Sequence, residues 1–463
     1  MLRRLSIFLT LLLACHQCCA ANLVEVYQEA QLNDPTFHQA IAQRLITKDG
    51  VPISLSAILP NLALNFGPYV KRTSNSGTSY LGPTDGITEA FYPRNVSTRG
   101  YNLQLTLTQT LFDFSKFFAV SGQVALSKAA DATLNSALQD LMVRVAKAYF
   151  AVLQDEDNLK YLRASKISYK QQLNEATEQF KVGLKTRTDV DLSTASYNTT
   201  VASYIGAESQ LANDKENLRV LTGKYYAHLS PLSENFPLVR PQPLDINAWT
   251  LKAQQQNWKI KASQHKLESN RQNVRQQFAG NLPTVNMDVH VARSYTNTIN
   301  NYESLVNRNG PGTTTDKYLG FNVNLPIISG GSVIANTSQA THSYQLAHEE
   351  LEYAVRSTIN ETRQSFMNIL AGVHKVTADK IAIKSNISSL EGLEASYQVG
   401  METLVNVLNQ QEKVVQTQSQ YAKDRYEFVI NILLLKQAAG TLSFEDLRAI
   451  NTWLLEKPLH KKS

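Results

Sequence analysis

The sequence predicts an internally duplicated α+β protein in which amphipathic β-hairpins are joined to exceptionally long helices. Three observations carry that expectation. The chain repeats itself: Phe180-Lys181-Val182-Gly183-Leu184, followed by Thr188-Asp189-Val190, returns as Tyr397-Gln398-Val399-Gly400-Met401, followed by Asn406-Val407. The offset of 217 residues is that of a whole domain, beyond the periods of roughly 20 to 50 of solenoid arrays. Short runs with a period of two recur in both halves, and each half also holds a long proline-free stretch with apolar residues at helical steps.

Taken from the N-terminus, residues 1–20 read as a secretory signal: Arg3 and Arg4 are the charged region, Leu5 to Ala14 the apolar region, and Cys18-Cys19-Ala20 a small-residue cleavage site. Leu12-Leu13-Ala14-Cys15 also fits a lipoprotein box, which would leave Cys15 as a lipidated first residue; both processing routes stay open. All three cysteines lie in this segment, so an exported chain would hold no disulfide and no thiolate ligand. Without Arg3 and Arg4 the 45 basic residues become 43 against 39 acidic ones, too even a balance for a nucleic-acid partner. Beyond the signal, no run reaches the roughly 18 apolar residues of a membrane helix. If this chain crosses a bilayer, strands must do it.

The strands suit that task. Tyr101, Leu103, Leu105 and Leu107 alternate with Asn102, Gln104, Thr106 and Thr108; Val285, Met287, Val289 and Val291 alternate with Asn286, Asp288 and His290. Leu319, Phe321, Val323 and Leu325 repeat the pattern, and Leu62, Leu64 and Phe66 do so more weakly. A half-buried soluble sheet would alternate in the same way. Long polar loops, expected over residues 71–98 and 297–316, shift the reading toward outer-membrane strands. Four strands cannot close a barrel, and an open edge in hydrocarbon strands backbone groups at several kcal/mol each. Copies must therefore combine, two for eight strands or three for twelve.

Helices follow each hairpin. From Ser115 to Phe180, Leu134, Leu138, Leu141, Val145, Tyr149 and Val152 are among residues spaced by three, four or seven, and a continuous helix there would be about 100 Å long at 1.5 Å per residue. Val355, Ile359, Phe366, Leu370 and Val373 open the same pattern in the second half, and shorter return helices are expected near 189–221 and 405–438. Coiled-coil packing accounts for these helices taken alone. Pro60 and Pro283 mark helix-to-strand corners, and Pro326 with Gly330-Gly331 a strand-to-helix corner. Pro231, Pro237, Pro241 and Pro243 punctuate a segment read as a linker wrapped outside the helices. Asp49-Gly50-Val51-Pro52 is expected to break a helix, since an interior proline costs about 3 kcal/mol.

With these pieces together the chain resembles the TolC family of trimeric outer-membrane efflux ducts, from Asn22 to about Leu455. The most specific segments are Gln109 to Lys116, Val182-Gly183-Leu184 with Thr188-Asp189-Val190, and Leu325-Pro326-Ile327 with Gly330-Gly331. The resemblance implies a homotrimer whose twelve strands, four per protomer, form an outer-membrane β-barrel continued by a periplasmic α-helical barrel. It implies a passive exit duct for efflux or type I secretion, with no cofactor, no metal and no nucleic acid. Its partners would be outer-membrane lipid, a periplasmic adaptor and an inner-membrane pump of the RND or ABC class. The expected organisation is a signal at 1–20, a first repeat at 21–223 (hairpin 61–112, long helices 115–221) and a linker at 224–250. A second repeat at 251–442 (hairpin 284–328, long helices 332–438) and an equatorial segment with a basic tail at 443–463 complete it.

Site residues follow from the same resemblance. Val182, Gly183, Leu184, Val399, Gly400 and Met401 correspond to corners where adaptor hairpins dock, although glycine there also simply ends a helix. Thr188, Asp189, Tyr397 and Glu402 correspond to a polar network that shuts the entrance. The family's best-studied members carry arginine where this chain has Glu402 and aspartates at the constriction where it has Asn406 and Asn409. An asparagine constriction should discriminate less for cations and be poorly blocked by trivalent ones. Lys185 or Arg187 is expected to pair with Glu402 and restore the latch with its signs reversed. An enzyme finds no support, since His348-Glu349 lacks the second histidine of a metalloprotease and no Walker lysine follows Gly310-Pro311-Gly312. The remaining alternative is a periplasmic coiled-coil structural or adaptor protein, which would have no use for the hairpins.

Overall fold

The computed structural model of this chain describes residues 20–81, 88–300 and 311–455. The expected signal up to Cys19, its cysteines and the basic tail beyond residue 455 lie outside the described residues. In chain order the elements are α1 (Leu23–Asn33), α2 (Pro35–Ser56), β1 (Asn61–Leu81), β2 (Thr88–Phe112), α3 (Phe114–Lys181), α4 (Arg187–Thr222), α5 (Ile246–Gln256), α6 (Trp258–Phe278), β3 (Thr284–Asn300), β4 (Gly312–Asn324), α7 (Ser332–Gln398), α8 (Leu404–Ala438) and α9 (Phe444–Asn451). They divide into two compact units, one made of residues 46–127 and 265–348, the other of the remainder.

The first unit is built on an antiparallel sheet in the order β1-β2-β3-β4. Each expected alternating run forms a strand, and the register aligns them: Leu62 lies opposite Leu107, Leu107 opposite Val289, and Val289 opposite Leu319. Because side chains alternate faces, paired residues share a face, so both hairpins turn their apolar rows the same way. The long loops expected over 71–98 and 297–316 are corrected. β1 and β2 stay paired from Arg72↔Ser97 out to Leu81↔Thr88, and β3 and β4 are still paired at Thr296↔Gly312. Register set by the apolar rows propagates outward, and runs rich in threonine, serine and tyrosine can continue a ladder with water on both faces. Residues 82–87 and 301–310 lie outside the described set.

The corners behave as their residues dictate. Pro60 and Pro283 each fall immediately before a strand, and Gly330 and Gly331 take φ of +58° and +79° before α7. Asp113 starts α3 by accepting from the backbone N–H of Ser115 (3.0 Å) and of Lys116 (3.3 Å) through Oδ1. The break expected at Asp49 to Pro52 does not occur, because α2 runs through Pro52 to Ser56. Pro52 forfeits the one N–H bond that would reach the Lys48 carbonyl, and the helix ends four residues later. Gly50 serves packing instead: a Cβ there would meet Gln123 Nε2 at 1.9 Å, and that amide donates to the Thr47 carbonyl (3.4 Å).

The second unit is helical around a core drawn from α1, α3, α7, α8 and α9, with Leu23, Leu141, Val145, Tyr149, Phe150, Ile369, Val429, Leu433 and Leu447 among its most buried members. The proline-punctuated segment between α4 and α5 is more than an outer linker. Leu229, Leu232 and Phe236 are buried in this core, Leu229 bridges Ala21 and Leu232 bridges Leu454. Tyr149 donates its hydroxyl to the Ser230 carbonyl (2.8 Å), which fixes that segment against α3. Isolated apolar anchors without periodicity leave no pattern to read in sequence, yet each anchor of this size stabilises by about 1.5 to 3 kcal/mol when buried.

Candidate functional site

Within the sheet unit, all four strands contribute apolar rows to one face, and the opposite face is polar. The apolar face stacks Val285 with Val323, Met287 with Phe321, Leu62-Leu107-Val289-Leu319, Leu64-Leu105-Val291 and Phe66-Leu103 in successive rows. Most of these side chains are open to solvent in the single chain, with Leu62 64%, Phe66 64% and Leu319 65% exposed. The opposite face carries Asn65, Asn102, Gln104, Thr106, Asp288, His290, Ser294 and Asn322.

Aromatic rings bound the apolar band. Tyr101 stacks on Tyr295 at 5.6 Å with Phe66 at 6.0 Å from Tyr101, and at the helix end Phe112 meets Phe114 edge-on at 4.6 Å. From Tyr101 to Phe112 the strand rises about 36 Å, or about 25 Å vertically at a tilt near 45°, the height of a lipid-facing barrel band. β1 and β4 are each paired on one side only. Such a sheet has two unsatisfied edges that another copy of the same sheet can complete. Among the described residues no helix is long and apolar enough to cross a membrane.

In the helical unit the two duplicated corners share one geometry. Gly183 (φ +78°) and Gly400 (φ +79°) end α3 and α7 in the left-handed conformation, which glycine adopts without a Cβ clash. Leu184 N–H donates to the Gln179 carbonyl and Met401 N–H to that of Ser396, both at 2.9 Å. The four side chains around them are held out to solvent, Val182 69%, Leu184 75%, Val399 65% and Met401 81% exposed.

Beyond the corners the two hairpins differ. Thr186 caps α4 in a reciprocal box with Asp189, whose carboxylate accepts from the Thr186 N–H (3.0 Å) and hydroxyl (2.8 Å). The Thr186 backbone bond first, and Lys185 nearby, hold the Asp189 carboxyl below its usual range. Glu402 Oε1 accepts from Thr403 N–H (2.9 Å) and from Asn406 Nδ2 (2.6 Å), the first of which is the main reason its carboxyl is also held low. Within the single chain the ion pair expected between Glu402 and Lys185 or Arg187 does not form. Lys185 Nζ lies over the Tyr397 ring at 4.0 Å, and Arg187 pairs with Asp191 at 3.1 Å. A short local contact wins because i,i+4 neighbours and ring faces need less side-chain ordering than a bridge between separate hairpins.

Thr188 stays exposed in the first turn of α4. Tyr397 packs with Leu192 and Tyr197 against a buried cluster of Tyr169, Leu404 and Leu408, and Tyr169 donates to the Leu408 carbonyl at 3.2 Å. Asn409 faces a groove of about 740 Å³ whose lining includes Tyr169, Thr199, Glu412 and Lys423. Tyr397 is among the residues expected in the entrance network, whereas the parts of Tyr169 and Tyr197 escaped sequence reasoning, since within a heptad they look like ordinary core positions.

Sequence reasoning also missed two carboxyl pairs inside the helix hairpins. Asp155 of α3 meets Asp214 of α4, and burial, reinforced by that neighbouring carboxylate, pushes Asp155 up to about 7. Its Oδ2 is buried and faces no donor, whereas Asp214 accepts from Gln210 (3.1 Å) and Asn217 (3.0 Å). Asp379 of α7 meets Asp424 of α8 in the same fashion and is pushed up to about 6, with Lys375 at 3.7 Å from Asp424 moderating the effect. Two touching carboxylates are satisfied only when one is protonated. Asp155 stands 28 residues before Gly183 and Asp379 21 before Gly400. The pairs thus occupy one heptad position, a heptad apart. Nearby, Arg425 donates to Asp157 (2.6 Å), which also accepts from the Tyr426 hydroxyl (2.8 Å), joining α8 to α3.

Comparison with known proteins places these features in context. Residues 26–224 and 249–441 match the family described as outer membrane efflux protein. Outer membrane protein TolC of Escherichia coli (strain K12) is 34% identical over 447 residues, spanning 95% of this chain and 86% of that protein. The alkaline protease secretion protein AprF of Pseudomonas aeruginosa is 28% identical, spanning 95% and 89%. Among solved structures, the Campylobacter jejuni CmeC outer membrane channel shares the fold with a TM-score of 0.72 at 16% identity, covering 94% of this chain and 90% of that one.

Proposed function

The chain belongs to the outer membrane efflux protein family, and from that premise we propose that three copies assemble into the exit duct of a tripartite efflux pump or a type I secretion system. Members of this family are channels and not enzymes, so the work is conduction. In the proposal twelve strands close one barrel in the outer membrane, and the α3–α4 and α7–α8 hairpins of the three copies line a periplasmic passage. Val182, Leu184, Val399 and Met401 offer an apolar rim at the corners for the hairpins of a periplasmic adaptor, which links the duct to an RND or ABC transporter in the inner membrane. Asn406 and Asn409 form an uncharged constriction there. Asp189, Thr188, Tyr397 and Lys185 keep the entrance narrow through local contacts, with Glu402 holding Asn406.

A single observation carries the reading. The sheet is apolar on one face, polar on the other, girdled by aromatic residues, and open at both edges. A soluble adaptor has no partner for such a face, whereas lipid outside and water inside satisfy both. The test is planar-bilayer recording of the detergent-purified protein, with oligomer size read on mild gels. A trimer with a small, long-lived conductance is expected. A water-soluble monomer without conductance would replace this reading with that of a coiled-coil adaptor.

A further inference from the structure

From the helix attachments out to Ser97, the charge on the lipid-type face of the sheet has one sign. On the rows from Phe112 out to Ser97, the charged residues of that face are Arg72 on β1, Arg99 on β2, Arg293 on β3 and Lys317 on β4, all exposed, while Glu89 lies opposite Tyr80, ten residues beyond Arg99 on β2. The acids Asp288 and Asp316 fall on the opposite face, as does Lys71. Among the described residues none of the four cations makes an ion pair. The register spreads them over the rows from Leu105 out to Ser97, about 26 Å along the strands, in the half of the band away from the helices and just beyond it. Arg293 lies opposite Leu103 and Lys317 opposite Val291, so these two are diagonal neighbours, about 7 to 8 Å apart. Arg99, opposite Val70, lies one row beyond the stacked Tyr101 and Tyr295, and Arg72, opposite Ser97, one row further. This end is remote from Pro60, Phe114, Pro283 and Asn324, where the helices attach.

Cations beside an apolar face snorkel toward headgroups, but four like charges repel unless an anion lies among them. We propose that this patch binds the headgroup of a phosphorylated glycolipid in the outer leaflet of the outer membrane. The inference rests on the duct reading, which sets this end toward the exterior. The guanidinium forks of Arg99 and Arg293 grip phosphate oxygens in paired hydrogen bonds, and Arg72 and Lys317 add charge at either side. Acyl chains run down the rows nearer the helices, past Leu62, Leu107, Val289 and Leu319 and then Met287 and Phe321. Neighbouring strands are about 4.8 Å apart and successive residues about 3.3 Å, so Arg99 and Arg293, on adjacent strands and four residues out of row, stand about 14 Å apart. That separation suits a disaccharide with two separated phosphates better than a glycerol phosphate with one.

The experiment is native mass spectrometry of the delipidated full-length protein in detergent, titrated with bis-phosphorylated lipid A, with lipid A stripped of both phosphates, and with phosphatidylglycerol. Lipid A should bind the wild type at least about tenfold more tightly than its dephosphorylated form, and Arg99→Gln/Arg293→Gln should remove that preference, as expected from losing charge-assisted bonds. Lys71→Gln, on the polar face, should leave it intact, and inorganic phosphate should compete weakly for want of chains. Equal binding of phosphorylated and stripped lipid by the wild type, or an undiminished preference in the double variant, overturns the proposal. Conductance is recorded in parallel. Normal channels with no lipid preference sink this inference alone, while absence of wild-type channels sinks the duct.

Discussion

Asp155→Asn should make the protein more stable at pH 8 while leaving it nearly unchanged at pH 4. In the folded protein burial and the Asp214 carboxylate raise Asp155 to about 7 from an ordinary value of 3.8. The folded state therefore binds more protons than the unfolded one between those values, and stability falls as pH rises through the window. The full shift of about 3 units corresponds to about 4 kcal/mol. Asp155 is only half-buried, so solvent screening reduces the expected effect to about 1 to 2 kcal/mol. Asparagine keeps the shape and offers Asp214 a donor that needs no proton. Differential scanning fluorimetry of the detergent-solubilised protein between pH 4 and pH 8.5 reads the result as variant minus wild type, which cancels the other titrating groups. The difference should grow from near zero to a few degrees across the window. A difference that stays flat, or a variant less stable than wild type at pH 8, would refute a shared proton in this pair.

Three further outcomes follow from the same geometry. Hexamminecobalt at micromolar concentration should leave wild-type conductance largely intact, whereas Asn406→Asp/Asn409→Asp should become blockable, because an uncharged ring gives a trivalent cation nothing to bind; strong block of the wild type in planar bilayers contradicts this. Gly400→Ala forces a Cβ into φ +79° and should cost about 1 to 2 kcal/mol locally, seen as faster hydrogen exchange confined to the α7–α8 corner; unaltered exchange there would be contrary evidence. Asp157→Ala strands the buried Arg425 guanidinium and should destabilise by about 3 kcal/mol, read as a lowered unfolding midpoint, which an unchanged midpoint would disprove.

The amino-acid sequence by itself determined everything that depends on local period or local backbone chemistry. Alternation in Leu62 to Phe66, Tyr101 to Leu107, Val285 to Val291 and Leu319 to Val323 fixes which residues share a strand face. The three-and-four spacing through Leu134 to Val152 fixes a helix, and Gly183 and Gly400 fix its stop. Those properties arise from neighbours within a turn or a pleat. Tertiary structure decided which distant segments lie opposite one another, because pairing partners are set by packing and leave no periodic trace. Only the register sets Arg72, Arg99, Arg293 and Lys317 on one face, only the α3–α4 contact sets Asp155 against Asp214, and only the core shows why Leu229, Leu232 and Phe236 anchor a segment that reads as linker. Glu402 is the same lesson in reverse: a long-range partner inferred from charge lost to Thr403 and Asn406, which the chain brings within reach at far smaller entropic cost.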